Sequence, residues 1–383
     1  MNELDMLRKE IDETDKEILP LFLKRMELCG KVAEYKRQTG MAVFDPERER
    51  QVLENKMQLL ETPDMADEVY EFFNSMMCIS RVRQGKLLRE RAENKNCRGI
   101  LKKSASRIQN PKIVYFGSEG AYSEAAAIQY FGKDCDRVYA ATFEEAFEVL
   151  GSETVNYGVL PIENSSTGTI AKVVDLLTKY KFSIVGEVCI PIRHCLVGVR
   201  GAKFSDIKKI YSHEQAILQC GEFLKDLKGV ECENYYSTAI SAKTVAESGD
   251  KSMAAIASAV NAEIYGLDII AEEISDNKGN TTRFAIIARQ PEVTDRCDKI
   301  SIAFGLKHES GQLHRILSIF ASNDLNVLKL ESRPIADRPF EYRFFVDFSG
   351  RLLDERVISA LETVETETRD FTILGTYESH LLV

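Results

Sequence analysis

The sequence predicts a multidomain protein: an all-α segment, then an α/β body, then a small α+β module. Three observations carry this reading. Up to about residue 91, apolar positions recur every three or four residues and no strand candidate occurs. From Lys112, short apolar runs such as IVYFG, YGVLPIE, HCLVGV and RFAIIA alternate with helical stretches, an α/β pattern with largely parallel strands. From Lys299 the order becomes strand, helix, strand, strand, helix, strand, which is ferredoxin-like. A chain of 383 residues is too long for one core. The expected boundaries are 1–91 for the helical domain, 92–110 for a linker, 111–291 for the α/β domain and 298–383 for the terminal module.

Within the first segment, Leu4, Leu7, Ile11, Thr14, Ile18, Leu21, Arg25, Leu28, Val32 and Tyr35 form a heptad seam along one long helix. Arg25 breaks that seam, and Lys36, eleven positions on, projects from nearly the same face about 16 Å further along. Buried cations are costly without an anion to meet them, so the seam points to a small anionic ligand. A snorkelling arginine at the seam's edge is the alternative. A second helix starts at Asp45 as cap and Pro46 as first residue, with Glu47 and Glu49 favouring the positive dipole end. A third, from about Met65 to Arg89, continues its apolar stripe with Ser80 and Gln84. Three such helices make a poor core alone, and the long seam suits a second copy, so an intertwined homodimer is expected.

Residues 90–111 are polar, basic and aperiodic, as a linker would be. In the α/β body, three strand-to-helix junctions carry small polar residues: Gly117 to Ser123, Glu163 to Gly168, and Ser212 to Gln215. Helix N-termini bind anions through free N–H groups, although Ser and Asn also serve simply as caps. Together with Asn280-Thr281-Thr282-Arg283-Phe284 at a strand start, these junctions point to one shared cleft, with Arg283 as a carboxylate partner.

Composition bounds the function. A net charge of -10 argues against wholesale nucleic-acid binding and leaves a small-molecule ligand. Nine cysteines without a C-x-x-C spacing suggest reduced thiols, so no metal or cofactor is expected. The charged N-terminus and the lack of a long apolar run make a cytoplasmic protein without membrane contact the default expectation.

Arg8, Arg25, Lys36, Asp45, Arg48, Glu49, Ser80 and Gln84 lie in LRKEID, RMELCGKVAEYK, DPERERQVLE and ISRVRQ, and this set resembles the helical chorismate mutases. The resemblance implies rearrangement of chorismate to prephenate, the alternative being a helical domain that only dimerises or senses ligand. Arg25 and, across the dimer, Arg8 would bind carboxylates, with Arg48 adding to this. Lys36 and Gln84 would donate to the ether oxygen in the transition state. Glu49, with Asp45 nearby, would accept from the ring hydroxyl, and Ser80 would position a carboxylate.

The motifs ENSSTG, YSHEQA and NTTRF over about 112–289 resemble the prephenate dehydratases. This implies two α/β lobes (111–190 plus 267–291, and 191–266) arranged like type II periplasmic binding proteins, converting prephenate to phenylpyruvate. Thr282 would donate to the leaving hydroxyl, Arg283 would anchor a carboxylate and Phe284 would shape the site. Ser123, Glu163, Asn164, Ser165, Ser212, His213 and Gln215 complete the candidate set.

The terminal module, with Glu331-Ser332-Arg333-Pro334, resembles an ACT domain. The companion glycine motif reads Gly311-Gln312-Leu313-His314 here, keeping glycine and leucine. The resemblance implies feedback by phenylalanine, the end product of the route, bound between paired modules at Gly311, Leu313 and Glu331 to Pro334.

Overall fold

The computed structural model describes residues 2–41, 45–61, 63–89, 97–306, 309, 311–335 and 338–380. The boundary expected at 91–92 lies outside them. Two compact units form, Met1–Gly99 with Ile302–Thr372, and Ile100–Ser301 with Ile373–Val383.

In the first unit, α1 (Glu3–Thr39) starts on a capping box in which Asn2 Oδ1 accepts from Asp5 N at 2.8 Å and Asp5 Oδ2 accepts from Asn2 N at 3.1 Å. It ends at Gly40, whose φ of 70° is the left-handed C-cap conformation. Asp45 caps α2 (Pro46–Gln58) through Arg48 N at 3.0 Å, and α3 (Ala66–Arg89) packs on both. Within α1 only Met26 and Ala33 are buried. The apolar members of the heptad seam, from Leu4 through Tyr35, are exposed. A helix of about 55 Å thus presents an apolar face that its own chain leaves uncovered among the described residues.

The next elements are α4 (Cys97–Lys103), β1 (Lys112–Phe116), α5 (Tyr122–Phe131), β2 (Asp136–Ala140), α6 (Phe143–Gly151), β3 (Tyr157–Asn164), β4 (Gly168–Thr169), α7 (Ala171–Tyr180) and β5 (Ser183–Pro191). Then come β6 (Cys195–Gly198), β7 (Lys209–Ser212), α8 (Glu214–Leu218), α9 (Gly221–Lys225), β8 (Glu231–Asn234), α10 (Thr238–Ser248), β9 (Met253–Ala257), α11 (Ala259–Tyr265), β10 (Asp268–Ala271) and β11 (Thr281–Ala288). One lobe orders its strands β5-β11-β3-β1-β2 and the other β10-β6-β9-β7-β8.

Both sheets are mixed, which corrects the expectation of largely parallel strands. The reason is the double crossing: the chain leaves the first lobe after Pro191, and β11 re-enters from the far side, antiparallel to β3 and β5. The return also comes later than the expected residue 267, because Asp268 and Ile269 still pair with Gly198 and Val197 of β6. The two crossings therefore run through 192–194 and 272–280. Period-two alternation fills both faces of the second sheet: Cys195 and Val197 pack with Ala242 and Val245, and Leu196 packs with Ala216 and Cys220 on the other side.

The terminal module consists of β12 (Lys299–Leu306), α12 (Gln312–Ser322), β13 (Val327–Ile335), β14 (Arg338–Ser349), α13 (Glu355–Glu367) and β15 (Arg369–Tyr377), with strand order β13-β14-β12-β15. This is the ferredoxin-like arrangement, and it leaves β13 at the end of the order.

Among the described residues, no helix is long and apolar enough to cross a membrane and no group of His, Cys, Asp or Glu is placed to hold a metal, and the cysteines whose side chains are described are free.

Candidate active sites

Between the two α/β lobes lies a cavity of about 270 Å³. Thr282 and Phe284 from β11, Asn164 from the end of β3, Ser123 at the start of α5, and His213 and Gln215 at the start of α8 all line it. The lining also includes Tyr122, Ile192, His194, Gln219 and Tyr236, and carries no Asp, Glu, Lys or Arg among the described residues. Anion binding must therefore come from dipoles. The start of α5 suits this, since its N-cap is Ala121, with no side-chain hydrogen bond, leaving helix N–H groups for a ligand.

Thr282 is held from one side. Asn164 Oδ1 accepts from the backbone N–H groups of Ser166 at 2.9 Å and Thr167 at 3.1 Å. These donors settle the orientation of the amide, so Asn164 Nδ2 donates to Thr282 Oγ1 at 2.9 Å and to Asn280 Oδ1 at 2.8 Å. With its lone pair engaged, the Thr282 hydroxyl keeps its own proton for a ligand.

Arg283 requires a correction. Strand alternation turns it to the face opposite Thr282 and Phe284, where its Nε donates to Glu163 Oε2 and its Nη1 to Glu187 Oε2, each at 3.0 Å. Lys299 joins Glu187 at 2.9 Å. Arg283 and Glu163 are thus partners in a charge cluster behind the active strand and do not line the cavity. Two further candidates, the buried Ser212 and the exposed Ser165, are not among the lining residues. Ser212 is fully buried and donates to Ile256 O at 2.8 Å, while Ser165 Oγ accepts from Thr281 N at 3.0 Å. His213 caps α8 through Gln215 N at 3.2 Å.

Sequence reading missed Tyr122, His194 and Gln219. Tyr122 donates to Arg193 O at 2.7 Å, and burial pushes its phenol well above the usual range, so it stays a neutral donor. His194 is 3% exposed, and burial lowers its pKa. The run HCLVGV was legible only as a strand, with nothing local to mark its first residue.

In the helical segment, α1 and α3 bring Arg25 and Ser80 together: Arg25 Nη1 donates to Ser80 Oγ at 2.5 Å and to Met76 O at 3.5 Å. Gln84 is buried beside them on α3, and its Oε1 has no hydrogen-bond partner among the described residues. Lys36 is half-buried, while Arg8, Asp45 and Arg48 are exposed. Glu49 is ion-paired to Arg81, a residue the sequence reading passed over, whose Nε also lies 3.4 Å from Glu367. Burial opposes the Arg81 charge, and the Glu49 and Glu367 carboxylates outweigh it, raising the guanidinium's pKa.

In the terminal module, Gly311, with φ of 75°, caps α12 and is followed by Leu313, while Glu331 to Pro334 lie on β13. Lys329 Nζ stands 3.6 Å from Glu331.

Three family profiles match in order: chorismate mutase type II at 7–85, prephenate dehydratase at 113–292 and ACT domain at 300–366. The bifunctional chorismate mutase/prephenate dehydratase of Aquifex aeolicus is 33% identical over all of this chain and 99% of its own length. Arogenate dehydratase/prephenate dehydratase 1 of Arabidopsis thaliana is 41% identical over 71% of this chain and 73% of its own. Among solved structures, the prephenate dehydratase of Arthrobacter aurescens in complex with L-Phe matches with a TM-score of 0.65 and 30% identity, covering 70% of this chain and 90% of that one.

Proposed function

The chain belongs to the bifunctional chorismate mutase/prephenate dehydratase family, and from that premise we infer how its residues divide the two reactions of phenylalanine biosynthesis. The helical segment rearranges chorismate to prephenate, and the two-lobed cleft converts prephenate to phenylpyruvate.

The first reaction is pericyclic. It needs no nucleophile, only a fixed conformer and charge placed against the breaking C–O bond. Arg25, oriented by Ser80, binds a substrate carboxylate through its remaining N–H groups, with Arg48 adding to this role. Lys36 and Gln84 donate to the ether oxygen as negative charge develops there. Glu49, held by Arg81, with Asp45 at the start of the same helix, accepts from the ring hydroxyl. Arg8 serves the pocket of a second copy. The uncovered seam of α1 supports that pairing, since its apolar face needs a partner.

In the second reaction the prephenate dianion loses carbon dioxide and hydroxide to give the phenylpyruvate anion. Aromatisation drives the step, and the protein must help the ring hydroxyl depart. The Thr282 hydroxyl, held at 2.9 Å by Asn164 and aimed into the cavity, is the observation that carries this assignment. Thr282 donates a hydrogen bond to the leaving oxygen, and water supplies the net proton, since an alcohol is too weak an acid to do so alone. The start of α5 at Ser123 seats a carboxylate, and His213 and Gln215 position the substrate from the other lobe. Phe284 packs against the ring.

Phenylalanine is the effector, taken up by Gly311, Leu313 and Glu331 to Pro334, a reading supported by the ACT match and by the L-Phe-bound relative. The end position of β13 supports pairing of two modules around it. Feeding purified protein prephenate tests the cleft assignment. Phenylpyruvate should form and phenylalanine should slow it, whereas prephenate that persists unchanged would contradict the reading.

A further inference from the structure

Behind the Thr282–Asn164 pair, hydrogen bonds continue in one direction to the hinge between the lobes. Because Asn164 Nδ2 donates to Asn280 Oδ1, the other end of that amide, Asn280 Nδ2, is a donor and meets Gln219 Oε1 at 3.1 Å. The same Gln219 oxygen lies 3.0 Å from His194 Nε2, which must therefore carry the ring proton. The tautomer of His194 follows from two backbone N–H groups four residues away in the network. Its Nδ1 is buried and has no hydrogen-bond partner among the described residues.

These groups occupy both crossings. His194 sits on the outward crossing and Asn280 on the return, and Ile192 N donates to Asn280 O at 2.8 Å. Ile274 N donates to His194 O at 3.0 Å, and His194 N to Ser275 Oγ at 3.3 Å. Gln219 alone belongs to the second lobe, as the C-cap of α8, and its backbone oxygen accepts from Asp276 N at 2.8 Å. Second-lobe movement about the hinge must carry the Gln219 acceptor with it.

We propose that His194, through Gln219, Asn280 and Asn164, is a positioning residue that couples closure of the lobes to how firmly the Thr282 hydroxyl is braced. The proposal rests on the dehydratase reading of the cleft. When the lobes are closed, Gln219 Oε1 accepts from both crossings and the chain of donors ends on Thr282 with its proton facing substrate. When they part, the shared acceptor leaves and Asn280 keeps only its oxygen-side contacts, to Asn164 Nδ2 and to Ser166 Oγ at 3.2 Å; Asn164 stays turned the same way by Ser166 N and Thr167 N, and what weakens is the bracing of its Nδ2 against Thr282. His194 does not touch the reacting atoms; it fixes the far end of the network.

The ring must stay neutral to do this, because a second proton would land on Nδ1, where nothing accepts it. Burial lowers the pKa of His194, in keeping with that requirement. The titratable groups packed about it are Tyr122, with ring centroids 6.2 Å apart, Cys195 and Cys220, all pushed up by burial and therefore uncharged. The exposed Arg193–Glu273 pair and Asp276 flank the crossings, and His213 is the second imidazole lining the cavity.

The test compares His194→Gln, which keeps an amide donor near the Nε2 position, with His194→Leu, which fills the space without one. Prephenate turnover by the full-length wild type comes first, since its failure would sink the dehydratase reading and, with it, the positioning role that rests on it. With wild type active, the leucine variant should lose about tenfold in kcat with KM little changed, the scale of one neutral hydrogen bond, and glutamine should restore most of it. The wild-type kcat should fall only on the acid side of the ordinary histidine range, where the buried ring is at last forced to charge, and His194→Gln should flatten that limb. Wild-type kcat in the leucine variant, or equal loss in both variants, would overturn the proposal. Should the leucine variant fail to fold, Gln219→Met removes the shared acceptor and is judged by the same kcat and pH criteria.

Discussion

Thr282→Val replaces the hydroxyl with a methyl of nearly the same volume in a position only 7% exposed, so the shape of the cavity is kept while its key donor is deleted. Two costs follow. A donor aimed at charge that develops in the transition state contributes about 2.7–4 kcal/mol, so kcat for prephenate should fall by about 10²–10³. Asn164 Nδ2 loses one of its two acceptors, Thr282 Oγ1 at 2.9 Å, and retains Asn280 Oδ1 at 2.8 Å. One orphaned buried N–H should cost about 1–3 kcal/mol of stability. Thr282→Ser keeps the hydroxyl and should stay within about tenfold of wild type, its loss coming from freer rotation of the side chain. The assay is phenylpyruvate formation from prephenate, with conversion of chorismate by the same sample as the check on folding. A valine variant within about threefold of wild type in kcat, or one whose loss lies wholly in KM, would refute the assigned role.

Gly120 has φ of 81°, and a Cβ there would overlap Asn261 Oδ1, whose amide donates to Gly120 O at 3.2 Å from the other lobe. Gly120→Ala should therefore lower the melting temperature and raise KM for prephenate several-fold, because both backbone strain and α11 oppose closure. Arg81→Met leaves the Glu49 and Glu367 carboxylates unpaired in a largely buried site. It should destabilise the first unit by about 3–5 kcal/mol in thermal or denaturant unfolding, with part recovered by adding Glu367→Gln. Since no carboxylate lines the cleft among the described residues, the keto acid prephenate should exceed its amino counterpart, arogenate, by at least about tenfold in kcat/KM, measured side by side.

Local pattern made the elements legible, and the parts that escaped it depend on long-range topology. The capping of α2 and the βαββαβ order follow from residues a few positions apart, while Asn164 and Thr282, 118 positions apart, were legible as polar residues at element ends that point to one cleft. Arg283 did not, because an arginine next to Thr282 looks like a carboxylate anchor until strand alternation is taken seriously. Its anionic partners, Glu163 and Glu187, come from the two neighbouring strands. The mixed character of the sheets depends on where the chain returns, and no residue near 267 announces that β10 stays in the second lobe. His194 and Gln219 are joined only by folding, 25 positions apart in sequence. Arg81 was overlooked between Ser80 and Gln84 because its partners lie on α2 and α13.

One chain carries two chemically independent sites, and feeding chorismate to the paired variants Arg25→Ala and Thr282→Val separates them. Arg25→Ala should leave chorismate unconsumed yet still convert added prephenate, Thr282→Val should accumulate prephenate, and mixing the two should restore phenylpyruvate. Loss of both reactions in either variant, with the fold intact, would contradict it.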